Sequence, residues 1–310
     1  MGVNVWPWVA AVLAVATIFV ARKLRDPLPK ILLPLSTAVL FVCLWQLMSD
    51  WKNYDVTMPG GERRHVTILP TPWDTLLAMR QPVMDGTLLK YVIASVYRVA
   101  IGFGIATALG IPIGLWAGWY SRGFQAINPL VQALRPISPI AWIPLAVLWF
   151  GVKDSAAIFL IALSSFFPIA TGTMTAVRGI PVVYVRSAQN FGLQGFELFR
   201  RVVFPACLPQ IITSLRMALG IAWMVIVAAE MIAVDSGLGY LIMDSRNASN
   251  YERVLGAMIV IGIIGVGLDL LVRQLERSDE VRWGFPNKRE AEDLDHVRTG
   301  IQRQSASYGA

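Results

Sequence analysis

Apolar residues gather into seven runs along the chain: Val5–Ala21, Ile31–Met48, Leu88–Tyr120, Ala133–Gly151, Ala156–Val177, Ile211–Val234 and Val254–Val272. A membrane-crossing helix needs about 17–25 mostly apolar residues, and the runs meet that length or come close. Lipid offers no partner for backbone N–H and C=O groups, so the runs are predicted to be helices. The third run is interrupted by Gly102, Gly104, Gly110, Pro112, Gly114 and Gly118, and the fourth by Pro136, Pro139 and Pro144. Such residues mark kinks or close helix contact. At this level, packing alone and hinges of a moving path are both open. Three polar stretches separate or follow the runs: Ser49–Thr87, Arg178–Gln210 and the tail Arg273–Ala310.

Composition narrows the class. Hydrophobic residues make up 55% and charged residues 15% of the 310, against roughly 25% charged in a soluble domain. Too few polar residues remain to coat a soluble core. A soluble globular enzyme, a disordered chain and a disulfide scaffold are therefore excluded. Cys43 and Cys207 lie in or beside apolar runs and read as small buried hydrophobes. His65 and His296 are too few and too far apart for a histidine metal site. The net charge of +7 would suggest nucleic acid in a soluble protein. In a membrane protein it reflects basic cytoplasmic loops, and no nucleic-acid partner is expected.

Those basic loops set the expected orientation. Arg22, Lys23, Arg25 and Lys30 follow the first run, Arg178, Arg186, Arg200 and Arg201 the fifth, and Arg273, Arg277 and Arg282 the seventh. With all three clusters cytoplasmic, the spans alternate correctly and the C-terminus is inside. Ser49–Thr87 and Asp235–Arg253 then face outward, although the former carries Lys52, Arg63, Arg64 and Arg80. Met1–Trp8 has no basic residue, so Val5–Ala21 is expected to be an extra span and not a cleaved signal peptide.

Arg178–Gln210 is the most informative polar stretch. Pro181 suits the first turn of a helix over Val182–Asn190. Gly192 is predicted to stop that helix as a left-handed cap. A second short helix is predicted over Phe196–Val203, broken by Pro205 and Pro209 before the next span. Such a helix–turn–helix either merely connects two spans or fits a groove on a partner. Phe191, Phe196 and Phe199 beside Arg200 and Arg201 favour docking, because these aromatics would be costly on a bare loop.

The same stretch resembles the cytoplasmic loop of permease subunits of ATP-binding-cassette importers. That loop reads E-A-A, three residues, G, nine residues, I-x-L-P. Arg186, Ser187 and Ala188 stand at the E-A-A positions, followed by Gln189, with Gly192 at the glycine. Val202, Phe204 and Pro205 stand at the isoleucine, leucine and proline. Arg186 replaces an acidic residue, which reverses the sign of that polar contact. Further stretches resemble the nitrate, sulfonate, taurine and bicarbonate branch: Arg135-Pro136-Ile137-Ser138-Pro139-Ile140-Ala141-Trp142, Val227-Ala228-Ala229-Glu230-Met231 and Gly237-Leu238-Gly239-Tyr240. The first of these is most similar to nitrate-type or cyanate-type members.

The resemblance implies an all-α polytopic bundle, the type I ABC importer transmembrane domain, with six core spans plus the extra N-terminal one. It divides the chain into an N-terminal segment and basic linker (1–30) and a first core span with periplasmic loop (31–87). The transmembrane domain (88–275) follows, with its coupling loop at 178–210, and then a cytoplasmic tail (276–310). It also implies a non-catalytic subunit of the bacterial plasma (inner) membrane, a half-channel that pairs with itself or with a like permease subunit. Two ATPase subunits lie below and a substrate-binding protein outside, against Ser49–Thr87 and Gly237–Tyr240. No G-x-x-x-x-G-K-[ST] loop is present, so ATP belongs to the partners and no cofactor is expected.

Charges inside spans are expensive and mark functional candidates. Arg98 and Glu230 are expected in the outer leaflet on adjacent helices, as an ion pair or a gate. Arg135 and Arg216 are placed nearer the inner face, either snorkelling or forming an anion-attracting vestibule. Asp269 reads as an interfacial charge. No catalytic pair emerges, and a membrane enzyme would have only Glu230 with Asp235. An ion-coupled carrier without an ATPase would show internal repeats and broken mid-membrane helices, and no repeat relates the two halves. A membrane scaffold, like the carrier and the enzyme, has no need for the segment 178–210.

Overall fold

The computed structural model describes the backbone of residues 29–52, 54–57, 63–66 and 69–276, and the side chains of 36–51 and 69–274. The expected N-terminal span and the polar tail from 277 onward lie outside the described residues. Two compact units are formed, one from the described residues of Met1–Ile93 and Ser236–Ile261, the other from those of Ala94–Asp235 and Gly262–Ala310.

The first unit begins with α1, Pro29–Lys52. A two-stranded antiparallel ribbon follows, β1 (Tyr54–Thr57) and β2 (Arg63–Val66), with Tyr54 opposite Val66. This ribbon, inside a stretch read only as a loop, is the one departure from an all-helical chain among the described residues. Thr71 caps α2, Pro72–Met84, its hydroxyl accepting from the Asp74 N–H at 3.1 Å. Ser49 and Trp45 donate to the carbonyls of Leu69 and Pro70, which ties α1 to the start of α2. The long helix α3, Thr87–Trp119, starts in this unit. The last pieces are α10, Leu238–Asn247, and the first part of α11, Tyr251–Glu276. Gly256 lies against Met79, and Arg253 donates to Gln81 at 2.8 Å.

The second unit is built around α6, Asp154–Arg178. Half of its most apolar window is buried, so α6 is central to this unit. A small-residue stripe on α3 explains how closely the helices meet. Gly102, Ala106, Gly110, Gly114 and Gly118 recur every fourth residue and share one face. A Cβ on Gly102, Gly110, Gly114 or Gly118 would run into Ile161, Ile169, Thr173 or Val177 of α6 respectively. Four of the five glycines of the third run thus serve close contact, Gly104 facing open space, and Pro112 sits inside a continuous helix. Across α6 lies α9, Phe204–Ile232, where Ser214 fills the space beside Gly172.

Two expectations are corrected here. The fourth run is not one straight span. It takes in only the end of α4 (Ser121–Leu134), then a 3-10 turn (Pro139–Trp142) and α5 (Ile143–Phe150), and the arms Ser121–Leu134 and Pro139–Phe150 bend by 89°. Pro136 and Pro139 supply no N–H, and a residue before proline avoids the helical region; Ser138 is accordingly extended (φ −57°, ψ 132°). Conversely, Pro205 and Pro209 do not separate the second short helix from the sixth span. α8, Gly195–Leu198, runs through a π turn at Phe199–Val203 directly into α9. The Phe204 N–H reaches back five residues to the Phe199 carbonyl. That wider turn is compatible with Pro205, which has no N–H of its own to place.

Candidate functional site

The segment between α6 and α9 folds as its residues demand. Helix α7 covers Val182–Asn190. Gly192 follows with φ +85°, in the left-handed region that favours glycine. Its N–H bonds the Gln189 carbonyl at 2.9 Å, and the Leu193 N–H bonds the Ala188 carbonyl at 3.1 Å. These two bonds form a Schellman cap, which satisfies carbonyls the helix end would leave open. Nothing lies within 4 Å of a Cβ added at Gly192, so the glycine is required for its backbone and not for space.

Packing fixes which face of the segment is free. Leu198 and Val203 are buried, the latter clustered with Val177, Cys207 and Ile211. Phe199 meets Trp119 edge to face at 5.8 Å between ring centres. Arg178 stacks over Phe124 at 3.9 Å, a cation–π contact between the end of α6 and α4. Ala188 turns inward, while Arg186, Ser187, Gln189 and Gly192 are exposed. Val202 and Pro205 are half-buried, and Phe204 is at the edge of exposure. Phe191 and Phe196 stand out at 87% and 76% exposed. An anchored segment with free aromatics is built to be covered.

At the other end of α6 and α9 lies a buried charge cluster. Arg98 of α3 is 2% exposed and Glu230 of α9 1% exposed, with 2.7 Å between Nη1 and Oε1. Ser95, one turn before Arg98, reaches both Glu230 oxygens at 2.8 Å. Asp154, the first residue of α6, takes the other side of the guanidinium: Nε donates to Oδ1 at 2.9 Å, and Nη2 lies 2.7 Å from it. One arginine therefore ties three helices together. The sequence reading pointed to Arg98 and Glu230 but missed Ser95 and Asp154. The i, i+3 spacing from Ser95 to Arg98 was a usable clue; nothing local marked Asp154.

Arg216 and Arg135 are separated by the fold. Arg216 forms a two-pronged pair with Asp269 of α11, Nε to Oδ1 at 2.6 Å and Nη2 to Oδ2 at 3.0 Å. Arg273 joins at 3.2 Å. Asp269 is thus the counter-ion of Arg216, beyond the interfacial charge expected of it. Arg135, at the end of α4, lines a cavity of about 210 Å³ with Trp142, Ser164, Phe167, Met217 and Ile221. Ser164 and Phe167 lie near the middle of α6, and Met217 and Ile221 near the middle of α9. Arg135 therefore stands midway along the bundle and not at its inner end. Among the described residues no group of three or more metal-binding side chains occurs.

Comparison with known proteins agrees with this arrangement. Residues 110–278 match the family described as "Binding-protein-dependent transport system inner membrane component". The putative ABC transporter permease MJ0413 of Methanocaldococcus jannaschii is 38% identical over 248 residues, 80% of this chain and 90% of that protein. The nitrate import permease NrtB of Leptolyngbya laminosa is 33% identical, covering 82% of this chain and 88% of that protein. Other relatives are named for aliphatic sulfonates, taurine and bicarbonate. A solved structure of the MetNI methionine ABC transporter, in an inward-facing conformation, superimposes with a TM-score of 0.57. It is 16% identical and covers 63% of this chain and 96% of that one, so it shows a shared fold. The broken fourth span alone would also suit an ion-coupled carrier, but the matched family decides between them. The chain belongs to the inner membrane components of binding-protein-dependent transport systems, as an ABC importer permease of the nitrate, sulfonate, taurine and bicarbonate group.

Proposed function

We propose that the chain forms half of the translocation path of an ATP-driven importer for a small anion of the nitrate type. Its residues 178–210 couple the path to an ATPase subunit. A second copy of the chain completes the path, two ATPase subunits bind below, and a substrate-binding protein docks outside. Residues 31–87 supply the first core span and outer loop, 88–275 the transmembrane domain, and 276–310 a cytoplasmic tail. The observation that carries this reading is the capped segment Val182–Val203, rooted through Leu198 and Val203 and presenting Phe191 and Phe196 outward. Movement of a docked ATPase would reach α9 without a joint, because α8, the π turn and α9 are continuous. Arg98 and Glu230, at the opposite end of the same helices, are placed to hold that end closed. The nucleotide would act by favouring one of two packed states.

With 178–210 inside, the turns at 151–153 and 233–250 fall outside. The outer-loop helix α2 and the start of α11 lie in one unit, with Met79 against Gly256, and would offer the binding protein a single surface. The test is Gly192→Val. Forcing a β-branched residue to φ +85° costs on the order of 1–2 kcal/mol locally. ATP-driven uptake should collapse while insertion and expression remain. Uptake at the unmodified rate would remove the coupling assignment.

A further inference from the structure

We infer that the cavity at the break between α4 and α5 is a subsite for a small oxyanion, held by Arg135 halfway along the path. This rests on the importer reading above and names what passes through it.

Position comes first. The cavity is lined by Ser164 and Phe167 of α6 and by Met217 and Ile221 of α9. Ser164 is ten residues from one end of α6 and fourteen from the other, or about 15 and 21 Å at 1.5 Å per residue. A guanidinium at that depth is far from either interface and cannot be explained by snorkelling. The break places it there. Without the 89° bend after Leu134, Arg135 would continue a straight helix; the bend leaves it on the cavity wall.

Charge comes second. Arg98 and Arg216, which also lie within apolar runs, are neutralised, Arg98 by Glu230 and Asp154, and Arg216 by Asp269. Arg135 is exposed, has no ion-pair partner among the described residues, and its cavity is lined by no carboxylate. A cation left unpaired at that depth is costly unless it faces an aqueous path and an anion. The Trp142 indole also lines the cavity, and Ser164 adds a hydroxyl that now donates to the Ile161 carbonyl one turn back at 3.0 Å. Rotation about χ1 would redirect that donor to a ligand oxygen.

Size comes third. A volume of about 210 Å³ equals roughly seven waters at ~30 Å³ each, below the ~300–1,000 Å³ of sites for drug-sized molecules. The space accommodates a planar or compact oxyanion with a few waters.

The test places a reporter thiol in the cavity and reads charge directly. Met217→Cys, in a background with Cys43→Ala and Cys207→Ala, is made in the full importer complex in membranes. Its reaction with an anionic and a cationic methanethiosulfonate reagent is timed. The anionic reagent should react faster by about tenfold relative to a neutral cavity, as expected for one partly screened charge nearby. Arg135→Gln should abolish that preference and Arg135→Lys should keep it. Nitrate or bicarbonate at millimolar levels should slow the reaction, and taurine should do so less. If the preference survives Arg135→Gln, or if taurine protects better than both small anions, the subsite assignment is overturned. ATP-driven uptake is measured in the same preparations. Uptake that is ATP-dependent but indifferent to Arg135→Gln overturns the subsite alone, whereas uptake independent of ATP overturns the importer reading.

Discussion

Replacing Glu230 with alanine is the sharpest probe of the buried cluster. The substitution leaves Arg98, 2% exposed, without its most buried counter-charge and strips Ser95 of both acceptors. Breaking one side of a buried pair costs about 3–5 kcal/mol. Asp154 stays bonded to the guanidinium, yet it is 57% exposed and compensates only in part, so the lower end, about 3 kcal/mol, is expected. At about 2–4 °C per kcal/mol, the unfolding midpoint in detergent should fall by roughly 6–12 °C. Glu230→Gln keeps hydrogen-bonding capacity and loses only charge, so it should fall less. Arg98→Met with Glu230→Met removes both charges and should be more stable than either single variant implies, with a coupling energy of about 2 kcal/mol. Thermal unfolding of the parent, Arg98→Met, Glu230→Met and the double variant, followed by intrinsic tryptophan fluorescence, supplies the cycle. Additive losses, or a Glu230→Ala midpoint within 1 °C of the parent by the same ~2–4 °C per kcal/mol scale, would refute the claim that this pair fastens the outer end.

Gly114→Val should destabilise the bundle by about 1–3 kcal/mol, because its Cβ would stand 2.6 Å from the Thr173 Cβ and 2.8 Å from the Ala170 carbonyl. Gly104→Val, where nothing lies within 4 Å, is the matched control and should shift the midpoint far less. Asp269→Asn takes the counter-charge from Arg216, which is partly exposed, and should lower the midpoint by less than Glu230→Ala does. Equal losses for the two would contradict the assigned difference in burial.

Much of this architecture is legible in the residues because lipid imposes simple rules. The ends of α3, α6 and α11 fall within a few residues of their apolar runs. Helix α7 has the bounds its flanking Pro181 and Gly192 predict. What was not legible depends on backbone neighbours that sequence does not display. Prolines 136 and 139 break their span, whereas Pro205 and Pro209 are absorbed at a helix start and behind a π turn. The same residue type thus gave opposite outcomes, decided by where each missing N–H falls in the hydrogen-bond ladder. The pairing of Arg216 with Asp269, 53 residues apart, and of Arg98 with Asp154, 56 apart, likewise needed the packed helices. Arg135 looked like Arg216 from sequence; only the bend after Leu134 puts it on a cavity instead of a counter-ion.

The central claim is that Val182–Val203 faces the cytoplasm and touches the ATPase. The most direct measurement is a cysteine scan of residues 185–195 in the assembled complex, crosslinked in native membranes with a short bifunctional reagent. Exposed positions such as Gln189 and Phe191 should form a band containing the ATPase subunit, with yields that change on adding ATP, while buried Ala188 should not. A scan in which no position joins the ATPase, or in which the same thiols react with an impermeant reagent added from outside, would contradict the account.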